Sequence, residues 1–368
     1  MKNSLIVIGD ALQKLSRIAS GYCDCCVTSP PYYGLRDYGI PEQIGLQEQP
    51  EEYIQKLVLI FREVRRVLRD DGTLWLNMGD SYAGSNKGRN KDGQPCKGNS
   101  ISRDSNNKFG GTLTAKKNIG YKSKDLMGIP WKLAFALQED GWYLRQDIIW
   151  HKPNCMPESV KDRCTKSHEY IFLLSKSKKY YFDYEAIKEP CVGFDNRLPA
   201  GSEGTLTPNS RIRKGNSKTF RGGVYTHDNA FNNSASLERN SHGNSPNDEV
   251  KRNKRDVWSV ATRGYNGAHF ATFPPELITP CVLAGSREGG IILDPFFGSG
   301  TTGEVAKNNN RKFLGIELNP EYAKLAAARL NYDLCEQCRH NTNDFVCRPI
   351  CGGCGGHNHF ELRIRKEF

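Results

Sequence analysis

A short run of residues after an apolar stretch combines groups that could bind a planar molecule carrying an amino group. The sequence "CVTSPPYYG" places Ser29, Pro30, Pro31 and Tyr32 directly after a strand-like segment. The two prolines fix their own φ angles and stiffen the backbone, so that nearby carbonyls point in set directions. The Ser29 hydroxyl and a proline carbonyl can accept hydrogen bonds from an amino group, and the Tyr32 ring can stack on a base. We interpret Ser29–Tyr32 as a binding segment for such a molecule, with a merely rigid turn as the alternative.

A second stretch, "ILDPFFGSGTTGEVAKN", has the composition of a ligand-binding loop between a strand and a helix. Gly298, Ser299 and Gly300 are small enough for the backbone to approach a ligand closely, and the helix that follows offers free N–H groups. The next strand ends in "GIELN", which puts Glu317 where an acidic residue typically accepts from ribose hydroxyls. Loop, helix and acid in this order predict a nucleoside ligand, and a tight structural turn is the alternative.

The C-terminal segment has the cysteine spacing of a metal site. Two C-x2-C pairs suit a tetrahedral structural zinc ion, so the predicted ligands are Cys335, Cys338, Cys351 and Cys354, with Cys347 as a substitute. The alternative is a loose cysteine-rich tail. The "CDCC" run at 23–26 lies on a strand, and we interpret it as core packing.

These residues sit on a pattern of alternating strands and helices. Apolar runs at 5–10, 24–30, 73–80, 143–153, 170–177, 290–296 and 312–319 read as strands covered on both faces. Amphipathic helix patterns lie between several of them, including one from Glu51 that is expected to stop at Gly72. The order predicts an α/β fold, a doubly wound sheet with helices on both faces. We expect one domain over 1–332 and a small zinc-binding-like tail over 333–368.

Two basic, apolar-poor stretches interrupt this pattern, at 83–124 and 197–255. The alternatives for each are a disordered insertion or a loop that binds a nucleic acid backbone. The formal net charge of +11 favours a polyanionic partner. The second stretch is the better candidate for target recognition, because it mixes cations with aromatic residues. Its predicted DNA contacts are Arg211, Arg213, Lys214, Lys251, Arg252, Lys254 and Arg255.

The N-terminal apolar run is too short for a signal peptide, and no stretch approaches a membrane span. The expected location is the cytoplasm, where the 13 cysteines would stay reduced.

The two main motifs together resemble those of a known family. "TSPPY" and "DPFFGSGTT", in this order, are similar to the catalytic and cofactor motifs of DNA amino-methyltransferases of the β arrangement, which methylate cytosine N4 or adenine N6. "DIIWHKPN", "HEYIFLLSKS", "DVW" and "HFATFPPEL" fit the same order. The resemblance covers most of 5–330, apart from the two basic stretches.

The resemblance implies a Rossmann-like methyltransferase sheet, S-adenosylmethionine (SAM) as cofactor and a base flipped out of double-stranded DNA. Asp294 and the loop formed by Phe296, Gly298, Ser299, Gly300 and Thr301 would hold the methionine part of SAM, helped by His269, Phe273 and Pro274. Glu317 would take the ribose, and Asp10 the adenine amino group; for Asp10 a strand-ending turn is the alternative. A cognate restriction endonuclease is a partner that the resemblance allows.

The identity of the target base stays open at this point. In the family, serine before Pro-Pro is commoner in cytosine-N4 enzymes, so Ser29 favours cytosine N4 over adenine N6.

An RNA or protein amide methyltransferase is less favoured, because such enzymes usually carry Asn at this position and place the cofactor loop first. A non-catalytic DNA-binding protein would need neither motif. Cytosine-C5 chemistry needs a Pro-Cys nucleophile on the active edge, and none of the Pro-Cys pairs lies there; Cys281, for example, falls in a helix pattern.

Overall fold

The computed structural model describes residues 4–34, 40, 43–47, 49–83, 121–190, 251–262 and 273–332. The strands are β1 (Leu5–Ile8), β2 (Cys23–Thr28), β3 (Leu68–Met78), β4 (Tyr143–His151), β5 (His168–Ser175), β6 (Glu189–Pro190), β7 (Lys251–Arg252), β8 (Val257–Ser259), β9 (Ile291–Asp294) and β10 (Lys312–Glu317). The helices are α1 (Ala11–Ser16), α2 (Pro50–Val67), α3 (Ile129–Glu139), α4 (Pro275–Gly285), α5 (Thr301–Asn308) and α6 (Pro320–Arg329), with a 3-10 turn at Glu185–Ile187.

Eight of these strands form one sheet in the order β1-β10-β9-β2-β3-β5-β4-β8. All neighbouring pairs are parallel except those of β5, which runs antiparallel to both β3 and β4. The carboxyl ends of the other seven strands therefore meet at one edge, where β5 begins. In such sheets ligands bind beyond the carboxyl ends of the strands.

Helices cover both faces of the sheet, which confirms the predicted fold class. The helices α1, α2 and α3 pack on one face, and α4, α5 and α6 pack on the other. Alternate residues of one strand enter the two cores: Leu74 and Leu76 face the first, whereas Trp75 faces the second. The cysteines of β2 are buried in these cores, and burial raises the pKa of the Cys25 thiol to about 12. Packing is therefore confirmed for this cysteine run.

One predicted boundary is wrong. The helix that starts near Glu51 ends at Val67 and not at Gly72, because β3 begins directly at Leu68. Leu68 has an extended backbone and pairs with Cys23, while Thr73 pairs with Cys25, so the intervening residues form a bulge. Gly72 lies inside that bulge, where an added Cβ would come within 3.0 Å of the Arg69 carbonyl oxygen.

The chain divides into two units, of which Lys188–Lys254 is the smaller. Within the smaller unit, β6 and β7 pair as a two-stranded antiparallel sheet, with Glu189 opposite Arg252. The Arg252 guanidinium donates from Nε to Glu189 Oε1 at 2.9 Å. In the ranges given above, no helix has the length and apolarity needed to cross a membrane.

Candidate active site

A cavity of about 600 Å³ lies at the edge where the strands end. Its walls come from the ends of β1, β2, β3, β4, β9 and β10 and from the start of β5. Most of the residues predicted from sequence line it: Asp10, Ser29, Pro30, Pro31, Tyr32, Phe273, Asp294, Phe296, Gly298, Ser299, Thr301 and Glu317. The two motifs, about 265 residues apart in sequence, thus share one cavity because β2 and β9 are adjacent in the sheet.

A buried carboxyl group ties the two motifs together. Asp294, at the end of β9, accepts from Thr28 Oγ1 at 2.6 Å and from Thr302 Oγ1 at 2.7 Å. Thr28 immediately precedes Ser29, and Thr302 lies in the first turn of α5, so one side chain fixes the spacing between the segments. Burial raises the pKa of Asp294 to about 6, despite the hydrogen bonds that favour its charged form.

The two carbonyls of the Pro-Pro segment differ in their hydrogen bonds within the described residues. The Pro31 carbonyl accepts a hydrogen bond from Tyr53 Oη at 2.8 Å, which anchors the segment to α2. No described residue donates to the Pro30 carbonyl, and Pro30 lines the cavity. The Pro30 carbonyl and the Ser29 hydroxyl are therefore candidate acceptors for a ligand in this cavity.

The hydroxyl of Tyr32 is held in a polar network that the sequence did not indicate. Ser29 Oγ donates to Tyr32 Oη at 3.4 Å, and Tyr32 Oη lies 2.9 Å from Glu169 Oε2 and 3.2 Å from Asn77 Oδ1. Lys152 forms an ion pair with the same Glu169. Burial, followed by the neighbouring Glu169, holds the pKa of Tyr32 well above its usual value, so the phenol stays protonated and donates. With its proton directed at Tyr32, Ser29 Oγ keeps its lone pairs for a ligand.

The glycine-rich loop is braced by the acid predicted to bind ribose. Glu317 accepts from the Gly298 N–H at 2.6 Å and from the Asn319 N–H at 2.8 Å. Burial raises the pKa of Glu317 to about 7. The loop enters α5 at Gly300, whose φ of +81° and whose contact with Ala326 both favour glycine.

Four other predicted cofactor residues have different outcomes. The Asp10 side chain accepts from the Gln13 N–H at 2.9 Å and so caps α1, while still lining the cavity. Pro274 and Gly300 are not lining residues; Pro274 caps α4, and Gly300 caps α5. His269 lies outside the described residues.

One wall of the cavity was missed by sequence reasoning. Trp150, Lys152 and Met156 follow or end β4, and His168 and Glu169 begin β5. His168 lines the cavity and packs edge-on against Tyr170, and burial followed by the neighbouring Lys166 lowers its pKa. The stretches "DIIWHKPN" and "HEYIFLLSKS" carried a signal, because they matched the family's order, but no role was attached to their side chains.

The predicted DNA and metal residues are mostly outside the described ranges. This holds for Arg211, Arg213, Lys214, Cys335, Cys338, Cys351 and Cys354. Of the remaining DNA candidates, Lys251 is exposed, Arg252 is paired with Glu189, and Arg255 belongs to the larger unit. Within the part of the chain that is described, no three His, Cys, Asp or Glu side chains are grouped to hold a metal ion.

Comparison with known proteins identifies the family. A family model described as DNA methylase, covering the N6 and N4 types, matches residues 23–328. The chain belongs to this DNA methylase family. Similar proteins include the Type II methyltransferase M.XycI of Xanthomonas campestris pv. cyanopsidis, 46% identical over 90% of this chain and 88% of that protein. The Type II methyltransferase M.Cfr9I of Citrobacter freundii is 47% identical over 88% of this methylase and 86% of its own length.

Solved structures share the fold of this methylase. The PvuII DNA methyltransferase, named as cytosine-N4-specific, superposes with a TM-score of 0.53 at 17% identity, covering 88% of this chain and 85% of that one. A candidate DNA modification methylase from Thermus thermophilus, solved with S-adenosyl-L-methionine, gives 0.51 at 21% identity, covering 89% and 93%. The sheet described above is thus a methyltransferase sheet.

Proposed function

We propose that this methylase transfers a methyl group from SAM to the N4 amino group of a cytosine flipped out of double-stranded DNA. The observation that carries the proposal is the pair of acceptors at one cavity, Ser29 Oγ and the Pro30 carbonyl, beside the glycine-rich loop. An exocyclic amino group has two N–H donors, which these two oxygens can accept together.

The residues present fit SAM. A cavity of about 600 Å³ is within the range that encloses ligands of this size. Asp10, Asp294 and Glu317 line it, and their negative charge suits a ligand that carries a sulfonium cation. The loop at 296–301 would hold the methionine part, and Glu317 the ribose. When bound, SAM supplies an electrophilic methyl group.

The protein residues act on the amino group. Its lone pair is delocalised into the base ring and is a poor nucleophile. Hydrogen bonds to Ser29 Oγ and the Pro30 carbonyl localise that pair on nitrogen and orient it. The Tyr32 ring stacks on the base, while its hydroxyl orients Ser29. No covalent bond between enzyme and base is required.

Adenine N6 is the alternative substrate, because the same two acceptors fit any exocyclic amino group. Ser29 favours cytosine on the family pattern. The relatives' shared designation as Type II methyltransferases supports a role beside a cognate restriction endonuclease. In this proposal 1–332 is the catalytic domain, 197–255 carries target recognition, and 333–368 binds one structural zinc ion.

The direct test follows a labelled methyl group from SAM into duplex DNA. The variant Ser29→Ala should slow transfer by roughly 10-fold or more, the effect of losing one hydrogen bond in the transition state. Its affinity for SAM, measured by calorimetry, should match that of the parent protein. Transfer at the parent rate by Ser29→Ala would move the catalytic site away from this segment.

A further inference from the structure

The loop that joins β4 to β5, residues 152–167, holds an apolar side chain in solvent at the mouth of the cavity. Met156 lines the cavity, yet 73% of it is exposed, the highest value among the large hydrophobic residues that the structure describes. Pro153 and Pro157 flank it closely and restrict the backbone on both sides. Its exposed side chain is therefore accessible to a molecule that approaches the cavity.

The loop around Met156 is firmly anchored. Asn154 exchanges two hydrogen bonds of 2.8 Å with the backbone of Thr262, just beyond β8. The Lys152 N–H donates to the Ser167 carbonyl at 2.7 Å and closes the base of the loop. Such bonds hold the Met156 backbone in place without covering its side chain.

The far half of the same loop is anchored to the segment after β3. Lys166 Nζ donates to the Asp80 carbonyl at 2.9 Å, and the Arg163 guanidinium lies over the Tyr82 ring at 3.9 Å. The Asp80 side chain in turn accepts from the Ile129 N–H through Oδ1 and so caps α3. The loop is therefore a fixed projection beside the cavity, with Lys161 exposed on it.

A flipped base leaves a gap in the duplex that costs a few kcal/mol in lost stacking and pairing. Proteins that distort DNA often fill such gaps with an apolar side chain, and methionine is among the residues used. We propose that Met156 enters the duplex beside the flipped base and occupies the space that the base leaves. Met156 suits this position because it is unbranched, apolar and already held next to the cavity that receives the base. Lys161, on the same loop, contacts a nearby phosphate.

This inference rests on the proposed function, and the test separates the two. The substrates are two synthetic duplexes that contain the target site identified by methylation mapping. In one the target base is paired, and in the other it faces a mismatch that already weakens the pair. The proteins are the parent, Met156→Ala, Met156→Leu and Val160→Ala. Val160 is the matched control, since it is 42% exposed on the same loop but does not line the cavity.

Met156→Ala should lower the single-turnover methylation rate on the paired duplex by about 10-fold or more, because flipping is no longer compensated. On the mismatched duplex the loss should shrink to less than about 3-fold. Met156→Leu and Val160→Ala should stay close to the parent, and all four proteins should bind SAM equally in calorimetry.

Parent-like activity of Met156→Ala on the paired duplex would overturn the proposal, as would an equal loss on both duplexes. A parent protein for which the mapping finds no methylated amino group in DNA would overturn the proposed function itself, and this inference with it.

Discussion

At the scale of single residues, Tyr32 has two separate contributions. The sequence predicted a stacking ring, and Tyr32 lines the cavity. The hydroxyl, however, joins Ser29 to Glu169 and Asn77. In the proposed mechanism Tyr32 acts on the base through its ring and on the Ser29 hydroxyl through its oxygen.

Two substitutions separate these contributions. Tyr32→Phe keeps the ring and removes the oxygen that orients Ser29. Because one hydrogen bond contributes about 1 kcal/mol, kcat should fall roughly 10-fold while DNA affinity is retained. Tyr32→Ala should also weaken DNA binding, with stacking worth about 1–3 kcal/mol per base. Steady-state kinetics and a DNA titration measure both effects. Unchanged kcat in Tyr32→Phe would contradict the orienting role of the hydroxyl.

At the scale of elements, the ends of β9 and β10 carry two buried acids whose pKa values are raised. Glu317 has a pKa of about 7 in the free protein because of burial. A ligand whose hydroxyls donate to the Glu317 carboxylate binds its ionised form best. SAM affinity should therefore rise as the pH increases from about 6 to about 8, with protons released on binding at pH 7.

Calorimetry in two buffers of different ionisation enthalpy measures that release. Glu317→Gln carries no titrating group at this position, so its weaker binding should lose this pH dependence. A parent protein whose SAM affinity is constant across this range would contradict the assignment of Glu317 to the ribose.

The same acids affect folding in the opposite direction. A raised pKa in the folded state stabilises the protein below the unfolded value, near pH 4, and this stability is lost as the pH rises through about 6 for Asp294 and about 7 for Glu317. Without ligand, Glu317→Gln should therefore reduce the fall in thermal midpoint between pH 5 and pH 8. An identical fall in parent and variant would argue against a raised pKa at Glu317.

The strands and helices also show which features of the fold could be predicted from the sequence alone. Apolar runs and glycine-rich turns located the strands and both motifs, because burial and backbone geometry act locally. The antiparallel direction of β5 was not predicted, since hydrophobic pattern does not encode strand direction. Lys152 and Glu169 were missed for a related reason. In the sequence each is an ordinary charged residue, and only the strand order brings Glu169 to Tyr32 and Lys152 to Glu169. The end of α2 was wrong because a bulged strand replaced the expected glycine stop.

At the scale of the whole molecule, the net charge of +11 predicts salt-dependent binding to DNA. Neutralising Lys251, Arg252, Lys254 and Arg255 together should weaken DNA binding. It should also lower the salt slope, which is the slope of log K for DNA binding against log salt concentration, by about one unit for each phosphate that the variant no longer neutralises. Arg252 already pairs with Glu189, so it should contribute less than Lys251 when each is changed alone.

The matched control is Lys178→Gln with Lys179→Gln. These exposed lysines follow β5 at the sheet edge opposite the cavity, and their replacement should leave the salt slope nearly unchanged. An equal change in salt slope per neutralised charge in both variants would indicate an effect of overall charge and would contradict a recognition role for this segment.

The tail gives a second prediction at this scale. After Cys335 there are too few large apolar residues for a core, so a metal is the expected source of order. Elemental analysis should find one zinc ion per chain, lost when Cys335 and Cys338 become serine, while SAM binding persists. Purified protein without stoichiometric zinc and fully active after chelation would contradict the zinc site.

The identity of the methylated base tests the central claim most directly. Duplex DNA treated with the parent protein and SAM is digested to nucleosides. The products are separated by chromatography beside standards of each methylated nucleoside, because the two methylcytosines have the same mass, and are detected by mass spectrometry. The two acceptors at Ser29 and Pro30 predict a base methylated on its amino group, and serine at position 29 predicts that this base is N4-methylcytosine. The yield should be strongly reduced with Ser29→Ala. N6-methyladenine would contradict the choice of base, and 5-methylcytosine would contradict the amino-group mechanism itself.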